Sequence, residues 1–346
     1  MNKTRTTALL LLIIFSIITI QWGTPLIKTV TFLSATLPHT PAWIPLAEHT
    51  AQRETIHFTE YSTQPVVDIY RMENDRTEQP GLVLVPGFSP DAHRDERLVA
   101  VARAMAHAGV VVAIPHSPTI THRQFATEDI ARIVDTFTIV AAHDTTASDR
   151  VGISGFSIAG SYAIVVAAQL DAQPAFVHAF GPYHDAVTLL VDIFSHTAVH
   201  DETERTWQPD PYVTSIALEM LGLFAEDTDV ASHIDVDALQ ESLPLSRDEA
   251  TRIVDTLEEE QRTLLDEVSP AQVLDQLRTT LILMHDKNDS LIPVEASRHI
   301  KENLPEGTAL SYGEYTFLQH VTPKRIFSWE LFPFTYQVFL MMNRMF

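Results

Sequence analysis

The chain has 346 residues, 45% hydrophobic and 20% charged, and contains no cysteine. This composition belongs to a globular protein with an ordinary core, and it excludes disulfides, thiolate metal sites and a cysteine nucleophile. The formal charge of -22 makes nucleic acid a poor partner, because binding it requires clustered Lys and Arg to displace counterions.

The charge is unevenly spread. Residues 187–276 hold 21 Asp and Glu against four Arg and no Lys, a difference of 17 negative charges. No lysine lies between Lys28 and Lys287. Such a surface disfavours polyanionic ligands and favours neutral or cationic ones, and it also fits a salt-adapted protein. We find no internal repeat and no low-complexity tract.

At the N-terminus, Lys3 and Arg5 precede the uncharged apolar run from Ala8 to Ile20, which continues through Trp22 to Ile27 before Lys28. The basic flank and apolar length fit an uncleaved signal anchor over residues 1–30, with the rest of the chain outside the cytoplasm. A cleaved secretory signal also has such a centre, but the nearest small-x-small site, Ser34-Ala35-Thr36, lies far downstream. Residues 31–53, with Pro38, Pro41 and Pro45, read as a linker, and the folded domain is expected over 54–346.

Strands are expected at 55–58, 66–70 and 81–85, the last continuously apolar as in a strand buried on both faces. A helix over 95–107 presents Leu98, Val101, Ala102 and Met105 on one side and closes at Gly109. Residues 109–114 form the next buried strand. Thr127 is a candidate cap for a helix carrying Ile130, Ile133, Val134, Phe137 and Val140. A strand over 150–154 then runs into Gly155-Phe156-Ser157-Ile158-Ala159-Gly160. Further strands fall at 175–180 and 280–285. This alternation implies a mostly parallel α/β sheet with helices on both faces.

About a hundred residues separate those last two strands, far more than one crossover helix needs. The surplus is the acidic segment, read as a helical cap inserted at about 187–276. It contains a helix from Asp210-Pro211 with an apolar stripe from Val213 to Phe224. A second helix opens with the capping box Ser246 to Glu249 and runs to Val268, and a third begins at Ser269-Pro270.

Open α/β sheets bind ligands at the carboxyl ends of their strands, so what each strand presents there is informative. Ser157 sits at the apex of a sharp strand-to-helix turn that needs small neighbours, supplied by Gly155, Ala159 and Gly160. After Val85 comes Pro86-Gly87-Phe88-Ser89, whose Phe88 amide, with that of Ile158, makes a candidate pair of oxyanion donors. After Met284 comes His285-Asp286-Lys287-Asn288-Asp289, and His320 lies in a loop before the last helical segment.

In these motifs the chain resembles the α/β-hydrolase superfamily, and more narrowly the dienelactone-hydrolase and prolyl-oligopeptidase-like esterases, over roughly residue 54 to the C-terminus. Its order of Ser, then acid, then His is met by Ser157, Asp289 and His320. The family's acid often stands in His-Gly-x-x-Asp with a proline shortly after; here Asp286 replaces the glycine and Pro293 follows. Pro86 likewise replaces a histidine that commonly precedes the oxyanion glycine, and Ala159 stands where the stricter motif has glycine.

The resemblance implies a serine hydrolase acting on a small-molecule ester or related acyl bond, with no cofactor and no metal. Acyl transfer by the same residues and a non-catalytic, membrane-tethered binding module are the alternatives. Asp185 is the reserve acid, and His116, His178 and His184 are competing histidines. No lysine-bearing phosphate loop and no His-Glu-x-x-His is present.

Overall fold

The computed structural model describes residues 22–34, 36, 51–57, 65–72, 78–226, 235–323 and 328–346. The apolar run from Ala8 to Ile20 and the prolines at 38, 41 and 45 lie outside these residues. Among the described residues, no helix is long and apolar enough to cross a membrane.

Residues 22–34 are helical (α1), where the sequence suggested the tail of an anchor passing into a linker. Phe32 and Leu33 are buried with the residues of two later helices, so this stretch is docked on the domain. The first strands are β1 (Gln52–His57), β2 (Pro65–Arg71) and β3 (Gln79–Val85). Helix α2 (Glu96–His107) is capped by Asp95, whose carboxylate accepts from the Arg97 amide, and it ends two residues before Gly109 at φ +93°. That positive φ takes 109 and 110 out of the expected strand, and β4 (Val111–Pro115) starts after them.

A short turn, α3 (Pro118–Thr121), leads to α4 (Thr127–Ala142). Thr127 is the first helical residue of α4 and not its cap; Ala126 holds that place without a side-chain bond. Strand β5 (Thr146–Phe156) is longer than expected, and α5 (Ile158–Gln169) follows after one residue. Then come β6 (Val177–Phe180) and α6 (Ala186–Ser195).

The insert is helical, with one addition. A hairpin, β7 (Thr197–His200) and β8 (Thr203–Thr206), precedes α7 (Pro211–Glu226) and α8 (Val236–Ser242). The long helix expected after Ser246 is two: α9 (Arg247–Val254) and α10 (Glu259–Glu267), each opening with its own capping box. Gln261, three residues after Glu258, supplies the second box, and this restart divides the apolar stripe. Pro270–Gln272 and Leu274–Gln276 are 3-10 turns where a third helix was expected. The chain returns through β9 (Leu281–Asp286), α11 (Val294–Glu302), β10 (Leu310–Tyr315), a small ribbon of β11 (Leu318–Gln319) and β12 (Thr322–Pro323), and α12 (Leu331–Met345).

The main sheet has eight strands in the order β1-β2-β4-β3-β5-β6-β9-β10. β1 and β2 join antiparallel, and the pairs from β4 to β10 are parallel. Alternate residues of β3 show how both faces are filled. Leu82 and Leu84 pack with α2 and α12, whereas Val83 and Val85 pack with α4 and α5. The cap helices share the second of these cores: Leu190, Phe194, Leu221, Val254 and Leu265 join Tyr162 and Val165 of α5. The insert is thereby welded to the sheet layer by apolar contact, despite its charged exterior.

Gly152 in β5 is set by this packing, since a Cβ there would lie 2.3 Å from the Phe176 ring. Gly152→Ala is therefore expected to destabilise the fold by about 1–3 kcal/mol through overpacking, read as a lower urea midpoint with an unchanged slope. A midpoint equal to the parent's would show that Phe176 has room to move.

Candidate active site

Parallel strands deliver their last residues to one edge of the sheet, and β3, β5, β6 and β9 bring the site residues there. Ser157 takes φ 58° and ψ -135°, a conformation costly for a residue with a side chain. Two hydrogen bonds hold it: the Ser157 amide donates to the Phe180 carbonyl at 2.7 Å, and the Gly160 amide donates to the Ser157 carbonyl at 2.8 Å. Gly155 makes the turn possible, because a Cβ at that position would stand 2.0 Å from the Ala159 carbonyl oxygen. The methyl of Ala159, where the stricter motif has its second glycine, is buried within α5.

The turn after β3 closes over the serine. A Cβ on Gly87 would lie 3.5 Å from the Ser157 Cβ and 3.1 Å from the Phe156 carbonyl oxygen, so the backbone at Gly87 is pressed against the Ser157 turn. Ile158 is the first residue of α5, one of the positions whose N–H has no carbonyl within the helix. Phe88 and Ile158 line a common hollow with Ser157.

His320 lies between β11 and β12 at φ 55°, and it lines the same cleft as Ser157, Gly87 and Phe88. Its Nδ1 is 2.5 Å from Asp289 Oδ2. Its Nε2 is buried and has no hydrogen-bond partner among the described residues. Asp289 is itself buried, and its Oδ1 accepts from the amides of Leu291 and Ile292 at 2.8 and 3.2 Å. Burial by itself would raise the Asp289 pKa. The positive charge available on His320 and the hydrogen bonds from His285 and His320 outweigh it, holding the carboxyl well below the usual range.

Asp286, the departure from the family's glycine, shapes this loop. It ends β9 almost fully buried, and its Oδ2 accepts the His320 amide at 3.1 Å while Oδ1 accepts the Asn288 amide at 3.0 Å. Burial pushes its pKa up. The carboxylate thus clamps both the acid loop and the histidine turn, a contact between residues 34 apart in the chain.

Three supporting residues escaped the sequence reading. Trp207 of the cap donates its indole N–H to the Asp289 carbonyl at 2.7 Å. Fully buried His285 lies with Nε2 3.4 Å from Asp289 Oδ2 and Nδ1 2.6 Å from the Ser297 hydroxyl. Gly181, at φ +64°, lets the imidazole come close: a Cβ there would be 3.1 Å from His320 Cε1. His285 stands in the run to Asp289 that the sequence displays, and Gly181 is a glycine directly after a buried strand, whereas Trp207 left no trace.

The competing residues are placed elsewhere. Asp185 caps α6, accepting the Thr188 amide, and His184 packs beside His299. His178 is buried with Nδ1 2.8 Å from the Ser154 hydroxyl. His116 lies 2.9 Å from Asp68 Oδ2 and stacks on His93 with centroids 3.5 Å apart. Asp68, His93 and His116 are close enough to suggest a metal site. However, stacked imidazoles direct their in-plane lone pairs side by side, and Arg53 and Thr55 already occupy the Asp68 carboxylate. The group fits a structural ion-pair cluster better than a metal centre.

No family model matches the chain, and no curated protein matches it. Solved structures do match. The 2,6-dihydroxy-pseudo-oxynicotine hydrolase superposes with a TM-score of 0.55 at 13% identity, covering 87% of this chain and 70% of the other. An arylesterase gives a TM-score of 0.52 at 12% identity, covering 92% and 91%. Dipeptidyl peptidase 4 of Porphyromonas gingivalis gives 0.50 at 12% identity, covering 85% of this chain and 36% of the peptidase, so the likeness reaches about a third of that protein's length. What this chain shares with these structures is the fold, a mostly parallel eight-stranded sheet flanked by helices on both sides.

Burial lowers the His178 pKa from 6.5 to about 4. Between these values the unfolded chain binds a proton that the folded chain refuses, so this histidine's contribution is present above pH 6.5 and is lost as the pH falls towards 4. The loss amounts to about 3 kcal/mol. The melting temperature should drop over that interval, and His178→Phe should flatten the drop while lowering stability at pH 7, because it strands the Ser154 hydroxyl. Parallel pH profiles for parent and variant would assign the effect to other groups.

Proposed function

We propose that this protein is a serine hydrolase that cleaves a carboxylic ester or related acyl bond through an acyl-enzyme on Ser157. The observation that carries the reading is the His320 imidazole. One nitrogen is bonded to a buried, ionised Asp289, and the other is buried and without a hydrogen-bond partner among the described residues, in a side chain that lines the same cleft as Ser157. A serine hydroxyl is a poor nucleophile at its own pKa and needs such a base.

In this reading Ser157 Oγ attacks the carbonyl carbon while its proton passes to His320 Nε2. The carbonyl π electrons move onto oxygen, which the Phe88 and Ile158 amides receive. A comparable donor is worth about 2.7–4 kcal/mol elsewhere. Collapse re-forms the carbonyl and breaks the bond to the leaving group, which takes the proton from His320. Water then repeats the sequence, releasing the acid and Ser157. Asp289 stays ionised, fixing the imidazole tautomer and stabilising the imidazolium. Asp286 positions His320 through its backbone and takes no part in proton transfer.

The substrate is a neutral or cationic small molecule in this proposal, which the acidity of the cap and the apolar lining around Ser157 support. The run from Ala8 to Ile20, behind Lys3 and Arg5, supports a membrane tether with the hydrolase domain outside the cytoplasm. Purified protein should turn over neutral esters faster than acyl-CoA; the reverse order would remove the charge argument.

A fluorophosphonate probe should label the parent and leave Ser157→Ala unlabelled, with His320→Ala labelled far more slowly. Ester turnover should fall on the order of 10⁴–10⁶-fold in Ser157→Ala with no loss of stability. Equal labelling of parent and Ser157→Ala would remove the nucleophile, and absence of labelling in every form would favour a binding module.

A further inference from the structure

The cleft at Ser157 has unequal apolar spaces on its two sides. On the cap side, Leu189, Ile193 and Ile216 close a hollow of about 70 Å³ over Ser157. On the other side lies a cavity of about 310 Å³ between one face of the sheet and the helices packed on it. Leu82, Leu84 and Met284 form its floor, Met105 of α2 and Val338 and Met341 of α12 its walls, and Phe32 and Leu33 of α1 reach into it. It meets the Ser157 cleft at Val101, Phe156, Val321 and Thr322, each of which lines both spaces.

Two of the polar groups in this lining are already engaged. The Ser154 hydroxyl is bonded to His178, and Arg97 forms a two-pronged contact with Asp95 at 3.2 and 2.8 Å. Burial keeps the His178 ring neutral near pH 7, so no uncompensated charge faces the space. Gln337 adds one polar spot, its buried Oε1 having no hydrogen-bond partner among the described residues, to a lining that is otherwise mainly apolar and suited to an apolar ligand. Its position one residue from the nucleophile joins it to the chemistry: Phe156 borders it and Ser157 follows directly in the chain.

We propose that this cavity receives a linear aliphatic chain of the substrate, so that the favoured esters carry a medium-length alkyl chain on one side of the scissile bond and a small group on the other. The inference rests on the serine-hydrolase reading and adds the substrate class. Arg97, Val101, Phe156, Val321 and Thr322 line both spaces, so the alkyl chain enters the cavity across this shared border. The small cap-side hollow takes the short arm.

The test uses the full chain in detergent micelles with two substrate series, methyl alkanoates and n-alkyl acetates, each with a variable chain of two to twelve carbons. In one series kcat/KM should rise about fourfold per methylene over the first several carbons, the gain expected for burying each CH₂, and then level off when the cavity is full. Met341→Trp and Val338→Phe should cut turnover of the eight-carbon substrate at least tenfold while leaving the two-carbon substrate within twofold. Retained short-chain activity shows that the variants fold.

Three results overturn the proposal: no dependence on chain length in either series, equal loss on short and long chains in both variants, or loss of the long-chain advantage in Ile216→Trp on the cap side with the α12 variants unaffected. Failure of the parent to hydrolyse any ester, together with absent fluorophosphonate labelling, would instead strike the serine-hydrolase reading on which the proposal stands.

Discussion

The site depends on a backbone conformation that the chain would avoid if left to itself. Ser157 sits at φ 58° and ψ -135°, and the cost is carried by what surrounds it. Its amide is bonded across the sheet to Phe180, the next residue begins a buried helix, and Gly155 offers no side chain to collide with Ala159. Loosening any of these would let the serine relax away from the apex. The long β5 strand and α5, buried from Ile158 to Ala167, hold the turn from either side, since a helix start enclosed on all sides cannot rotate.

A second constraint is electrostatic and long-range. Asp289 remains ionised in a buried position because two loop amides, His320 and His285 converge on it. Asp286, three residues earlier, uses its own carboxylate to fix the His320 backbone. Two neighbouring acids therefore divide the work, one holding the imidazole and the other holding the chain that carries it. Trp207 ties the cap hairpin to this arrangement through the Asp289 carbonyl. The insert thus contributes to the geometry of the acid as well as to the walls around the serine.

The acidic exterior and the apolar interior of the insert are separate properties. Its charges lie largely outward or in ion pairs such as Arg205 with Glu295, while Leu190, Phe194 and Leu221 merge with the core below. Around Ser157 the result is a cleft lined mainly by carbon, larger towards α2 and α12 than towards the cap. Charge can bias what approaches, and shape decides what is accommodated.

The sequence by itself determined the layer architecture, because continuously apolar runs such as Leu82 to Val85 and the 3.6-residue stripes between them have one economical burial in a parallel sheet covered on both faces. It also pointed to Ser157, Asp289 and His320, since short-range turn chemistry and chain order are written locally. Boundaries that depend on a cap or on a positive φ were legible only in part. Thr127 lost its capping role to Ala126, and the stripe after Ser246 concealed the restart at Glu258. Helix α1 was read as anchor and linker because its Phe32 and Leu33 acquire meaning only against α2 and α12. Tertiary structure alone decided that Asp286 clamps His320, that Trp207 braces Asp289, and that an apolar cavity adjoins the cleft at Ser157. Each of these is a meeting of residues far apart in the chain, and such meetings are set by how whole layers pack, not by any pattern a local stretch can carry.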